Sequence, residues 1–223
     1  MSLARLSALI CAVLCLGAGG PARAQQEFPP PQGMGRVVMM ASGMSGPAHY
    51  ETAARDIAAL GYDVVLFDGN AMENTHGAGV LAAIEQAQHA PHGLPGRVAM
   101  VGFSLGGGMV LYYGTQHPEL AAGAVVWYPA NAFIKDVPGF AGRLQMPVVM
   151  FAGGEDHFRD GCRTAAKGQS LADAAKAAGK SLDLTIYPGA DHDFVKGGAH
   201  YRPDAYADAL KRTDVALKAY FAQ

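Results

Sequence analysis

Ser104 stands between glycines in Gly102-Phe103-Ser104-Leu105-Gly106, directly after the apolar run Arg97 to Val101 and before a helix-compatible run. That strand-turn-helix context is what a Gly-x-Ser-x-Gly elbow requires, because the sharp turn brings strand and helix backbones too close for a Cβ while displaying the serine. A serine hydroxyl is a poor nucleophile until an imidazole takes its proton. The imidazole in turn needs a carboxylate to fix its tautomer and stabilise its charged form. Behind such elbows the acid and then the histidine follow in chain order, on loops after later strands.

His192 meets that demand in Tyr187-Pro188-Gly189-Ala190-Asp191-His192-Asp193-Phe194, between an apolar run and the last helical pattern. His157 and His200 are the alternatives, the first adjoining the acid itself and the second eight residues further on. For the acid, Asp156 ends Phe151-Ala152-Gly153-Gly154-Glu155-Asp156, where a loop can aim a carboxylate across the top of a sheet; Glu155 and Asp160 are its rivals. A tetrahedral intermediate also needs two amide donors. Leu105 N–H follows the nucleophile and is one, and Met44, in Ala41-Ser42-Gly43-Met44-Ser45-Gly46 after the first core strand, is the expected second.

Other chemistry fits less well. A phosphate cradle would want a Lys after its glycines, or glycines after the first strand of a βαβ unit, and this chain has neither. Asp191-His192-Asp193 with His200 reads as a metal-ligand cluster only if the elbow is left unexplained. No metal and no cofactor is expected.

The elements that must position these groups alternate. Short apolar runs at Val37–Met40, Val64–Phe67, Val98–Val101, Ala124–Trp127, Val148–Phe151 and Leu182–Tyr187 are separated by helical patterns. The latter run Pro47–Leu60, Glu73–Ala90, Leu105–Gln116, Thr164–Ala178 and Pro203–Phe221. The alternation predicts a doubly wound, mostly parallel α/β sheet of about six strands with helices on both faces. The irregular stretch from Tyr128 to Met146 would leave the carboxyl end of a strand, where such sheets bind ligands, and is expected to wall the pocket.

Arg5, the apolar run Leu6 to Leu16 and Ala22-Arg23-Ala24 read as a signal peptide cut after Ala24, which predicts a periplasmic or secreted protein. Cys11 and Cys15 do not follow small residues, so no lipid anchor is expected. Residues 25–35, rich in Pro and Gly, read as a leader crossing the surface, and residues 36–223 as one domain. The whole chain has 17 basic and 19 acidic side chains; without Arg5 and Arg23 the balance is 15 to 19, which argues against nucleic acid as a partner. Cys162 would then be the lone cysteine, expected to pack in the interior.

With these residues in place, the chain resembles the dienelactone hydrolase family of α/β-hydrolases over nearly all of its mature length. The resemblance is carried by Leu60-Gly61-Tyr62 leading into a strand that ends at Asp68, by Gly102 to Gly107, by Gly153 to Asp156 and by Tyr187 to Phe194. It implies a compact sheet without a large lid, the triad just argued, and hydrolysis of small esters or lactones. A thioesterase or small peptidase would use the same groups, and a silent fold that only binds ligand is the alternative class. Well-known members carry cysteine where this chain has Ser104, and glutamate in the oxyanion loop where it has Gly43 or Met44. They also place a basic residue four positions after the histidine to hold a substrate carboxylate, which implies that role for Lys196.

Overall fold

A computed structural model describes residues 25–158 and 164–223. The expected signal peptide, Asp160 and Cys162 lie outside the described residues. Seven strands form one sheet in the order β1-β3-β2-β4-β5-β6-β7. They are β1 (Gln26–Phe28), β2 (Gly35–Ala41), β3 (Asp63–Phe67), β4 (Gly93–Phe103), β5 (Ala121–Trp127), β6 (Val148–Gly153) and β7 (Leu182–Tyr187). All pairings are parallel except that of β1 with β3.

The six expected strands are all present. The addition is β1, within the segment read as a leader. Three residues are too few to show alternation, and Phe28 is buried there by pairing with Val64 rather than by any pattern of its own.

Strands β3 and β5 are buried at every position, the mark of a parallel sheet covered on both faces. Alternate side chains divide between two cores. Met39, Val65, Met100 and Val126 pack with α3 (Ala78–Ala87), α4 (Ser104–Tyr112) and α6 (Thr164–Ala177). On the other face, Met40, Val64, Val101 and Trp127 pack with α1 (Pro47–Ala58) and α7 (Pro203–Phe221).

The expected helix from Glu73 to Ala90 divides into α2 (Gly69–Glu73) and α3. Gly77, with φ 94, breaks the helical path between them. The stretch from Tyr128 to Met146 contains α5 (Val137–Gly142). Ile134, Phe140, Leu144 and Met146 join the core, so most of this connection is packing and its first residues alone adjoin the elbow.

Strand order reverses where β2 and β4 lie side by side, with Ala41 level with Gly102. The loops after β2 and β4 therefore part in opposite directions and leave a crevice between them, the usual ligand position in such sheets. The loop after β2 and the turn holding Ser104 are the two sides of that crevice. Among the described residues, no helix is long and apolar enough to cross a membrane.

One buried charge lies far from this crevice. Asp63 opens β3 fully buried, and among the described residues neither of its carboxylate oxygens makes a well-formed hydrogen bond. Burial first, and the neighbouring Glu27 carboxylate second, push its pKa up to about 6, against a smaller opposing pull from His92. The folded protein thus binds this proton more tightly than the unfolded chain does. Its stabilising contribution is complete below the unfolded pKa and is lost as pH rises through about 6. Asp63→Asn is expected to flatten that decline and, allowing for screening, to add on the order of 1–2 kcal/mol at pH 7.5. Urea unfolding at pH 4, 6 and 7.5 measures it; an equal loss of stability at all three values would contradict it.

Candidate active site

The turn at the end of β4 takes the shape that the glycines foretell. Phe103 is extended, and Ser104, the first residue of α4, has φ 48, a left-handed conformation that disfavours a side chain. A Cβ on Gly102 would come 2.7 Å from Gly107 Cα, and one on Gly106 would collide with the Ser42 carbonyl. Gly106 N–H donates to that carbonyl at 3.1 Å, fastening the loop after β2 to the start of α4. Ala130 N–H donates to the Ser104 carbonyl at 2.8 Å from the other side.

Ser104 Oγ lies 2.8 Å from His192 Nε2, and His192 Nδ1 lies 2.8 Å from Asp156 Oδ2. All three residues are buried, at 7%, 6% and 4% exposure. Asp156 accepts two more hydrogen bonds, from Thr164 Oγ1 to Oδ2 at 2.7 Å and from Phe158 N–H to Oδ1 at 3.1 Å. A carboxylate held by donors on both oxygens has to receive Nδ1–H from the imidazole, which leaves Nε2 free to take the serine proton. The imidazole plane is set by two rings. Phe158 stacks on it at 4.4 Å and 11°, and Tyr128 meets it edge-on at 4.8 Å.

The rivals lie elsewhere. Glu155 and His157 are exposed, with His157 Nδ1 turned to the Glu155 carbonyl. His200 faces Asp191 at 3.7 Å. Among the described residues, no three His, Cys, Asp or Glu groups converge to hold a metal ion.

Leu105 is buried in the first turn of α4, where amides have no partner within the helix. In the loop after β2, Gly43 faces the nucleophile: a Cβ there would lie 3.0 Å from Ser104 Cβ. Met44 follows with its side chain largely exposed, and its carbonyl accepts Asn70 Nδ2 at 3.2 Å. Lys196 makes its ion pair with Asp56 of α1, at 3.7 Å, rather than with a triad residue; Asp56 also accepts the Tyr206 hydroxyl at 2.8 Å.

Sequence reasoning missed Thr164, Phe158 and Tyr128. Thr164 begins a helix eight residues after the acid, a position that reads as an ordinary start; only the bound carboxylate reveals its second use. For Tyr128 a signal existed, since it directly follows a buried strand level with Phe103 and hence stands beside the elbow.

A sheet reversing beside a serine elbow, joined to a histidine and an aspartate on later loops, defines the α/β-hydrolase class. Residues 67–221 match the model of the dienelactone hydrolase family, and the chain belongs to that family. A protein of Methylorubrum extorquens assigned as a carboxymethylenebutenolidase is 32% identical over 133 residues. That match covers 57% of this chain and 43% of the relative, so the chain spans less than half the length of the curated relative it matches.

Among solved structures, a protein from Klebsiella pneumoniae assigned as a dienelactone hydrolase superposes with TM-score 0.71 at 21% identity, covering 89% of this chain and 92% of that one. Thermogutta terrifontis esterase 2, phosphoramylated by tabun, superposes with TM-score 0.67 at 16% identity, covering 87% and 88%. At these identities the likeness is one of fold.

Proposed function

We propose that the protein is a serine carboxylic ester hydrolase acting on small esters or lactones. The observation that carries this reading is the unbroken chain Ser104–His192–Asp156, with both contacts at 2.8 Å. Ser104 Oγ attacks the carbonyl carbon as His192 Nε2 takes its proton, and Asp156 stabilises the imidazolium so formed. The oxyanion is received by the amides of Leu105 and Met44. Collapse breaks the ester bond, and the leaving alkoxide takes the proton back from His192. Water then repeats the sequence on the acyl-enzyme and releases the acid.

For Lys196, a substrate carboxylate would have to displace Asp56, so neutral esters are the preferred substrates in this reading. The signal-like residues 1–24 support a place of action outside the cytoplasm. Family membership and the esterase named among the structural neighbours support the reaction class.

Intact-mass labelling with a fluorophosphonate tests this reading. Such reagents phosphonylate activated serines, and the Thermogutta esterase neighbour is phosphoramylated by tabun. One adduct is expected on the native chain, with a mass that begins at Gln25, and no adduct on Ser104→Ala. A folded native chain that remains unlabelled would overturn it.

A further inference from the structure

Beside the triad lies a second set of polar side chains that the mechanism above leaves unused. Asp193, directly after the triad histidine, has φ 62, and Tyr128, directly after β5, has φ 36. Left-handed backbone at such residues is strained and persists where surrounding contacts demand it. Here the contacts are visible. His49 Nε2 lies 3.0 and 2.9 Å from the two Asp193 oxygens, the Tyr128 hydroxyl donates to Oδ1 at 3.3 Å, and Ala199 N–H donates to Oδ2 at 3.2 Å.

The set continues toward the nucleophile. Tyr128 and Tyr50, both almost wholly buried, pack against the same ring, that of Phe103, at 6.2 and 5.0 Å. The Tyr50 hydroxyl in turn lies against Gly43, so close that a Cβ on Gly43 would collide with it. A connected series therefore runs from the loop holding His192, through Asp193, Tyr128 and Tyr50, to the loop after β2. His49 ties the same carboxylate to the first turn of α1, which that loop leads into.

We propose that Asp193 is a positioning residue for ester hydrolysis, fixing the loop that carries the Met44 amide relative to His192. The inference rests on the Ser104 reading above. Asp193 takes no part in the proton path, because both nitrogens of His192 are already engaged, one by Ser104 and the other by Asp156. What remains for it is geometry. An oxyanion donor works only within about 2.7–3.1 Å of the developing charge, and the loop between Gly43 and Gly46 has little side-chain packing of its own to hold that distance. The Tyr50 hydroxyl against Gly43 and the Asp193 carboxylate behind it add a restraint to those already given by Gly106 N–H on the Ser42 carbonyl and Asn70 on the Met44 carbonyl.

The test compares Asp193→Ala, Asp193→Asn and Tyr50→Phe with the native protein, using p-nitrophenyl acetate. Asp193→Ala is expected to lower kcat by about 10- to 100-fold, less than the roughly 10²- to 10³-fold for outright loss of an oxyanion donor, because the amide is displaced and not removed. Its KM should stay within about threefold, and the pH midpoint of kcat/KM should not move, since the His192–Asp156 contact is untouched. Asp193→Asn should recover part of the loss, because Asn tolerates left-handed backbone and its single amide oxygen can still accept from one of the two donors, Tyr128 or Ala199.

Tyr50→Phe, which keeps the buried ring, should lose kcat by a smaller factor at nearly unchanged Tm, and it decides the matter if Asp193→Ala fails to fold. Native kcat in a folded Tyr50→Phe, or a moved pH midpoint in Asp193→Ala, overturns the proposal. Fluorophosphonate labelling of the native chain separates the two readings. An unlabelled native protein would sink the triad itself, whereas a labelled native protein with unaffected variants would sink the positioning role alone.

Discussion

Ser104→Ala is expected to reduce ester turnover by about 10⁶-fold, the scale seen when a triad serine is removed. The size follows from where the hydroxyl sits. At 2.8 Å from His192 Nε2 it is the group that imidazole can deprotonate, and an alanine methyl offers no lone pair to attack a carbonyl. Any residual rate would come from the oxyanion amides and from His192 acting on water.

The fold should hardly notice the change. Alanine and serine carry similar strain at φ 48, and the loss of one hydrogen bond costs about 1 kcal/mol. Ser104→Gly sharpens the point. It should be equally inactive yet more stable than Ser104→Ala, because glycine alone adopts that conformation without strain. Kinetics with p-nitrophenyl acetate beside thermal melts of both variants measure this. Activity retained in either one would remove Ser104 from the reaction.

Much of this arrangement was legible beforehand for a physical reason. A parallel sheet buried on both faces needs unbroken apolar strands, so β3, β5 and β6 announce themselves, while the edge strand β7 shows as a short alternating run with only Leu182 buried. A strained elbow needs glycines at fixed offsets, so Gly102 and Gly106 point to Ser104. The acid and the histidine were legible through order and loop position. Their hydrogen bonds join residues 36 and 88 positions apart, which no local pattern encodes.

What escaped reading shares one property. Tyr50, Tyr128, Thr164 and Asp193 each look ordinary locally: a helix aromatic, a residue after a strand, a helix start, a loop acid. Their roles arise from partners on other loops, which the topology brings to one end of the sheet. Lys196 shows the converse. Its spacing from His192 suggested a substrate contact, and the spacing could not show that its side chain also comes within 3.7 Å of the Asp56 carboxylate on α1.

Asp156→Asn should cost about 10⁴-fold in kcat while Glu155→Gln costs less than about threefold, and the surroundings of the acid explain the difference. Phe158 N–H donates to Oδ1 and cannot accept, so the amide oxygen of the substituted side chain is held on that side. The new NH₂ then stands where Oδ2 was, between the Thr164 hydroxyl and His192 Nδ1. The threonine hydroxyl can rotate to accept from it. The imidazole must also accept, and an imidazole accepting at Nδ1 carries its proton on Nε2, the nitrogen that has to receive the proton of Ser104. The variant would be folded and correctly shaped but set in the wrong tautomer. Glu155 is exposed and stands outside the triad contacts, so its neutralisation touches none of this. A kinetic comparison of the two variants measures the ranking. If Glu155→Gln proved the more damaging, the carboxylate assignment would move by one residue, against the 2.8 Å contact seen here.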